Sequence, residues 1–221
     1  MFKSKRRPIT IPQAEHGKLA GTLAWLWGNA QFDLPNVSRA SFVAGIGLHD
    51  RGYGPLDNAA IGETSDDKWF QITRNGFYMP CSDPAADLIT KFHLRRLVSW
   101  GDSAGHKAML IEMEAVIEAQ FEQNGFDREE FERIDRLTRL CDSLSFDFCF
   151  EAPAEGEVRV FPKNGAGEEL LVRYSVRDGD IRVDPWPFSV DAYSGYLVGY
   201  RLENFPAVLD AVIVPFRLIR G

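Results

Sequence analysis

The chain holds 221 residues with a formal net charge of −7; it is 45% hydrophobic and 26% charged and carries 16 Phe and 5 Trp. That aromatic content excludes a solvated, disordered chain, and the length suffices for one domain, or one domain with a small appendage, to bury a core without disulfide or zinc staples. The acidic balance argues against an electrostatic nucleic-acid binder, which needs clustered Lys and Arg, and no apolar run approaches the roughly 18 residues of a membrane helix.

The basic start, with Lys3, Lys5, Arg6 and Arg7, has no apolar stretch of a secretory leader behind it and reads as a frayed, solvated terminus. The three cysteines, Cys81, Cys141 and Cys149, form no C-x-x-C pair and no disulfide framework, so a reducing cytoplasm is the expected home.

Residues 7–12 (RPITIP) suit a short strand. A helix follows over QAEHGKLAGTLAWLWGN and stops at Gly28, a residue that caps helix ends readily. A second helix starts after Ser38, a good N-cap, and runs through SRASFVAGIGLHD to Arg51 and Gly52. Residues 51–81 read as a long irregular segment with Gly52, Gly54, Gly62 and Gly76. Its aromatics suggest that it packs over the helices, and such a segment can serve as a lid. Three more helices are expected: Ser82 through Trp100 with Pro84 in the first turn, about 104–123, and Asp127 to about Phe150 with Glu130 completing a capping-box-like pair. After Glu151 the period changes. GEVRVF, ELLVRYSV, DIRV, SGYLVGYRL and AVIVPFRLI are β-rich runs, and Asp178-Gly179 is a strong hairpin signal.

This pattern predicts an α+β chain: a helical bundle over residues 1–151, then a small antiparallel β-subdomain over 152–221 packed on the helices. For the β-subdomain three roles stand open: completing a pocket, covering an apolar helix face, or forming a homodimer contact. Pro185-Trp186-Pro187-Phe188 reads as a rigid aromatic bend against the helices.

Ionisable residues interrupt the apolar helix faces. His16 lies three and four residues before Leu19 and Ala20 and so begins a buried stripe. His49 and Asp50 continue the inner face of Phe42, Val43 and Ile46. His93 is aligned with Ile89 and Leu97, and Asp142 stands in LCDSLSFDFCF, apolar nearly all round. A lone histidine on such a face is ordinarily a hydrogen-bonded core residue. The joint occurrence is harder to explain so, because a buried carboxylate must be paired, protonated or metal-bound. Imidazole and carboxylate together are the donor set of zinc, iron or manganese. His106, the fourth histidine, is compatible with an inner face near the start of its helix.

The order His16, His49-Asp50, Asp142 resembles the H…HD…D signature of the HD superfamily of metal-dependent phosphohydrolases. The intervening His93 is similar to the expanded forms of that superfamily that hold two metals, but the further histidine pair of a full di-iron site is missing apart from His106. The segments QAEHGKLAGTLAWLWGN, GLHDRGYGPLD, LITKFHLRRL, LCDSLSFDFC and VDPWPFSV resemble a largely bacterial family known as domain of unknown function 3891. That resemblance implies the importance of His16, His49, Asp50, His93 and Asp142 and brings no activity with it.

The resemblance implies an HD-like helical bundle and one divalent transition metal (Zn, Fe, Mn or Ni), one ion rather than two, held by His16, His49, Asp50 and Asp142. The expected activity is hydrolysis of a small phosphorylated substrate, with Asp50 and His93 in catalytic roles and Arg51, Tyr53, Asp57 and Arg96 on the substrate. Two alternatives stand beside it: a di-iron oxygenase-type enzyme that also uses His93 and His106 as ligands, and a regulatory or binding module whose His/Asp cluster is a metal-free hydrogen-bond network.

Overall fold

The computed structural model describes residues 1–54, 60–165 and 167–221. In chain order the elements are β1 (Phe2–Lys3), β2 (Ile9–Ile11), α1 (Gln13–Leu26), α2 (Arg39–Gly47), a 3-10 turn (Arg51–Tyr53), α3 (Asp66–Tyr78), α4 (Pro84–Val98), α5 (Ala104–Asn124), α6 (Arg128–Cys149), β3 (Ala154–Val160), β4 (Leu170–Arg177), β5 (Asp180–Asp184), β6 (Tyr193–Arg201) and β7 (Ala211–Arg220).

The expected HD-like all-helical bundle with a small antiparallel appendage is not what the chain forms. One seven-stranded sheet has the order β1-β2-β6-β7-β5-β4-β3. It is mixed, because β5 pairs with β7 in parallel while the other neighbours are antiparallel. Two of its strands come from the start of the chain, with Ile9 opposite Arg201 and Thr10 opposite Tyr200. Phe2, Ile9 and Ile11 are all buried, and burying three large apolar side chains outweighs the cost of ordering a short basic terminus. The surrounding charges are met locally: Arg7 makes a bidentate pair with Glu151, and the Lys5 ammonium sits over the Phe150 ring. The chain start is therefore structural and not frayed.

The segment 51–81 also differs from expectation, since it contains α3. Ser65 caps it by accepting from the Lys68 amide, and Asp66 and Asp67 in the first turn complement the helix dipole. Its glycine serves close approach and does not break the helix. A Cβ on Gly76 would meet the backbone of Gly52 at 3.0 Å, and one on Gly52 would meet the Ile72 carbonyl.

A similar contact joins α1 to α2, where a Cβ on Gly17 would lie 2.5 Å from the Gly47 carbonyl oxygen. The two helices meet backbone to backbone beside His16 and two residues before His49. α6 lies against α1, α4, β3 and β4, so it links the helices to the sheet. The core is one continuous cluster that includes Leu23, Phe92, Leu140, Phe148, Val172 and Leu218. Asp178 and Gly179 both take positive φ (52° and 86°), the conformation that the tight β4–β5 hairpin requires. The Trp186–Phe188 bend packs on the end of α1: Phe188 bridges to Trp27, and the Gly28 amide donates to the Pro187 carbonyl. Among the described residues, no helix is long and apolar enough to cross a membrane.

Candidate metal centre and adjoining cleft

α2 ends at Gly47, so His49 and Asp50 stand on the turn that follows it and not on its last helical turn. The Leu48 and His49 amides bond back to Ala44 and Ile46, which curls the chain inward. The Nδ1–H of His49 donates to the Ile46 carbonyl at 2.6 Å. That bond leaves Nε2 facing the interior, the orientation in which a ligating histidine is held by its other nitrogen.

There Nε2 of His49 meets Nε2 of His16 at 2.8 Å. Both nitrogens lie 3.5 Å from Oδ2 of Asp50, and they lie 3.4 Å (His16) and 3.5 Å (His49) from Oδ1 of Asp142. Donor atoms about 2.0–2.2 Å from one ion sit about 3.0–3.5 Å apart, so these spacings suit a shared cation. The rings of His16 and His49 are fully buried. Two overlapping triplets, His16–His49–Asp142 and His49–Asp50–His93, offer metal-ligating atoms within 4.8 Å of one another. The structure thus brings together His16, the adjacent His49 and Asp50, His93 and Asp142 from four separate parts of the chain.

His93 stands behind Asp50. Its Nδ1 accepts from Arg96 at 2.9 Å, which leaves the proton on Nε2 to donate to Asp50 Oδ1 at 3.2 Å. Arg96 is itself held by Asp135. Gln13 donates to the other oxygen of Asp50 at 2.5 Å. The Asp50 carboxylate is therefore oriented from both sides.

Electrostatics follow from this crowding. Burial pushes the Asp50 carboxyl up, but attraction to the His49 ring and hydrogen bonds from His16 and His93 outweigh it and hold Asp50 far below the usual range. Asp142 is held well below its ordinary value against burial by hydrogen bonds from His16 and His49. Burial lowers His16, yet its hydrogen bonds to Asp142 and Asp50 raise it well above the ordinary value. His93 is lowered, chiefly by burial, against the pull of Asp50. The cluster holds ionised carboxylates inside the protein, ready to compensate a cation.

Phe2 of β1 packs on the His16 ring (centroids 5.1 Å apart) and edge-on to Phe146 and Phe150, which closes one side of the cluster. The other side opens into a cleft of about 370 Å³. Asp50, His93 and Asp142 reach its wall, joined by Tyr53 at the end of the 3-10 turn, Trp69 of α3 and Trp100 after α4.

The remaining expected substrate residues fall in different places. Tyr53 lines the cleft. Arg51 does not: it is buried, donating to the Gly76 and Phe77 carbonyls and to Asp87. Arg96 reaches the site only through His93 and otherwise borders a separate groove with Arg95, Glu114 and Asp135. Asp57 lies outside the described residues. His106 is remote from the cluster in its contacts: it bonds Ser103 at the start of α5 and packs edge-on to Phe70.

Several residues of the site carried no expectation, Trp69 and Trp100 among them. Gln13 lies three residues before His16, so helical spacing could have found it. Asp147 and Ser143 follow Asp142 on α6, and Tyr174 comes from β4; all three line the cleft. Nothing in the sequence ties β4 to α6, where the Tyr174 hydroxyl donates to Asp147 at 2.8 Å. Burial and the nearby Asp142 charge push Asp147 up, although that hydrogen bond opposes them.

Residues 2–203 match a family described as protein of unknown function (DUF3891). The chain belongs to that family. The matched range takes in α1–α6 and β1–β6, so the cluster and its cleft lie wholly inside it. No curated protein and no solved structure matches the chain.

Proposed function

We propose that this protein is a metal-dependent hydrolase of phosphate esters, with one divalent cation held by His16, His49, Asp50 and Asp142. The observation that carries the reading is the convergence of two imidazole nitrogens and two carboxylates within 2.8–3.5 Å beside an open cleft. The donor set is intermediate between hard and soft and suits Zn, Fe, Mn or Ni.

When bound, such a cation supplies a Lewis acid that makes water a nucleophile near neutral pH. The chain's own groups prepare the site for it. The Ile46 carbonyl fixes the tautomer of His49. Gln13 and His93 hold the two oxygens of Asp50 in place. Arg96 fixes the proton of His93 on Nε2, at the edge of the cleft, where it can be passed to a leaving oxygen. Phe2, Phe146 and Phe150 keep bulk water from the buried face of the cluster.

One ion is favoured over two by the same contacts. Arg96 occupies Nδ1 of His93, and His106 is engaged with Ser103. A di-iron oxygenase would need both rings as ligands. One observation favours the metal-free module: 2.8 Å is also an ordinary hydrogen-bond length between His16 and His49.

Elemental analysis of the purified protein, followed by assays with p-nitrophenyl phosphate and bis(p-nitrophenyl) phosphate, tests the proposal. About one equivalent of a transition metal and metal-dependent release of nitrophenol are expected. His49→Ala and the near-isosteric Asp142→Asn should lose the metal while keeping their circular dichroism spectra. Folded variants that retain all of it would overturn the ligand assignment.

A further inference from the structure

We propose that the cleft takes a phosphodiester whose far end carries an organic cation, an inference that rests on the hydrolase reading above. The charge inventory of the cleft leads there. Its wall contains Asp50, Asp142 and Asp147 and, among the described residues, no Lys or Arg. Residues 55–59, outside the described structure, read Pro-Leu-Asp-Asn-Ala and contain no basic residue either.

The basic groups around the site are already committed. Arg96 is held by Asp135 and His93. Arg51 and Lys91 both bond Asp87. Lys5, whose charge reaches Asp147, sits over Phe150. None faces the cleft as a free phosphate clamp. Two aspartates match a divalent cation in charge, and Asp147 is left over. A doubly charged phosphomonoester would meet that extra negative charge with only the Lys5 ammonium, held over Phe150, to offset it. A diester carries one negative charge on its phosphoryl group, which the cation can accommodate.

The rest of the lining suits a cation. Oδ2 of Asp147 accepts from Tyr174, while its Oδ1 has no hydrogen-bond partner among the described residues. Tyr53, Trp69 and Trp100 border the same space. Trp100 is 68% exposed and so lines the cleft where it meets solvent. Aromatic faces next to a carboxylate attract quaternary or alkyl ammonium groups.

The test compares p-nitrophenyl phosphate with p-nitrophenyl phosphorylcholine on the metal-loaded protein. Both release nitrophenol; the second is a diester and adds a quaternary ammonium. Bis(p-nitrophenyl) phosphate separates the effect of the diester from that of the cation. In parallel, tetramethylammonium chloride is titrated while the tryptophan indole N–H signals are followed by NMR. The phosphorylcholine probe should exceed both others at least tenfold in kcat/KM, and tetramethylammonium should shift the Trp69 and Trp100 signals. Asp147→Asn keeps an acceptor for the Tyr174 hydroxyl and should reduce both effects severalfold. Equal turnover of the two diesters, with indole signals that tetramethylammonium leaves unmoved, would overturn the inference while the hydrolase reading stood. Indole shifts that depend on Asp147 without turnover of any probe would support the cation site and count against the hydrolase.

Discussion

A Cβ on Gly17 would stand 2.5 Å from the carbonyl oxygen of Gly47. This contact between α1 and α2 lets the neighbouring His16 reach His49 at 2.8 Å. Gly17→Ala should therefore push the helices apart. The expected loss is about 1–3 kcal/mol of stability, the usual range for overpacking. Urea unfolding would show a lower midpoint, and metal content would fall with it. A variant as stable and as metal-rich as the parent would show that the close approach is dispensable.

Stripping the metal should destabilise the protein without unfolding it outright. A ligand at 100 times its Kd adds about 2.7 kcal/mol by mass action. Calorimetry before and after dialysis against a chelator should show a fall in Tm that is restored by the removed ion. An unchanged Tm, together with a metal-free preparation, would favour the hydrogen-bond network instead.

Arg96→Met should act on the site without touching a ligand. Losing the Arg96 donor frees Nδ1 of His93 and loosens the hold of Nε2 on Asp50. Groups that orient ligands typically contribute 10–100-fold in metal affinity or activity. Competition with a chromogenic chelator should detect weaker binding, whereas thermal stability should change far less than in Gly17→Ala.

Acid should expose the buried network around Asp87. Burial pushes its carboxyl up, but hydrogen bonds from Lys91, Gln120 and Arg51 outweigh this and hold it below the ordinary value. A depressed folded value means that ionised Asp87 adds stability above its unfolded pKa of about 3.9, and this is lost as pH falls through the lower folded value. Asp87→Asn should thus be less stable than the parent at pH 6, with the gap narrowing below pH 4. The full cost at neutral pH is about 3–5 kcal/mol, because Arg51 and Lys91 are left buried without their counter-ion. Denaturant midpoints measured from pH 6 to pH 3 would reveal the convergence, and a constant gap would rule out this linkage.

How much of this was legible in advance differs from element to element. α4 and α6 could be read because their apolar spacing and their side-chain caps agree, the Asp83 side chain, for example, taking the Ala85 and Ala86 amides ahead of Pro84, whereas α1, with no side-chain cap, was legible from its apolar spacing alone. α3 was hidden because Gly76, a poor helix former, is there to let Gly52 come close. Arg51 looked like a substrate group from its place after Asp50, but the fold turns it towards the Gly76 carbonyl and Asp87.

The sequence alone determined which side chains are forced inward. Helical and strand periods place His16, His93 and Asp142 on apolar faces, and a polar group there must find a partner. Only the tertiary structure decided who the partners are. The β1–β2–β6 pairing, the Gly17–Gly47 contact and the reach of Tyr174 to Asp147 join residues far apart along the chain. Local propensity carries no record of such contacts, because packing the whole core fixes them at once.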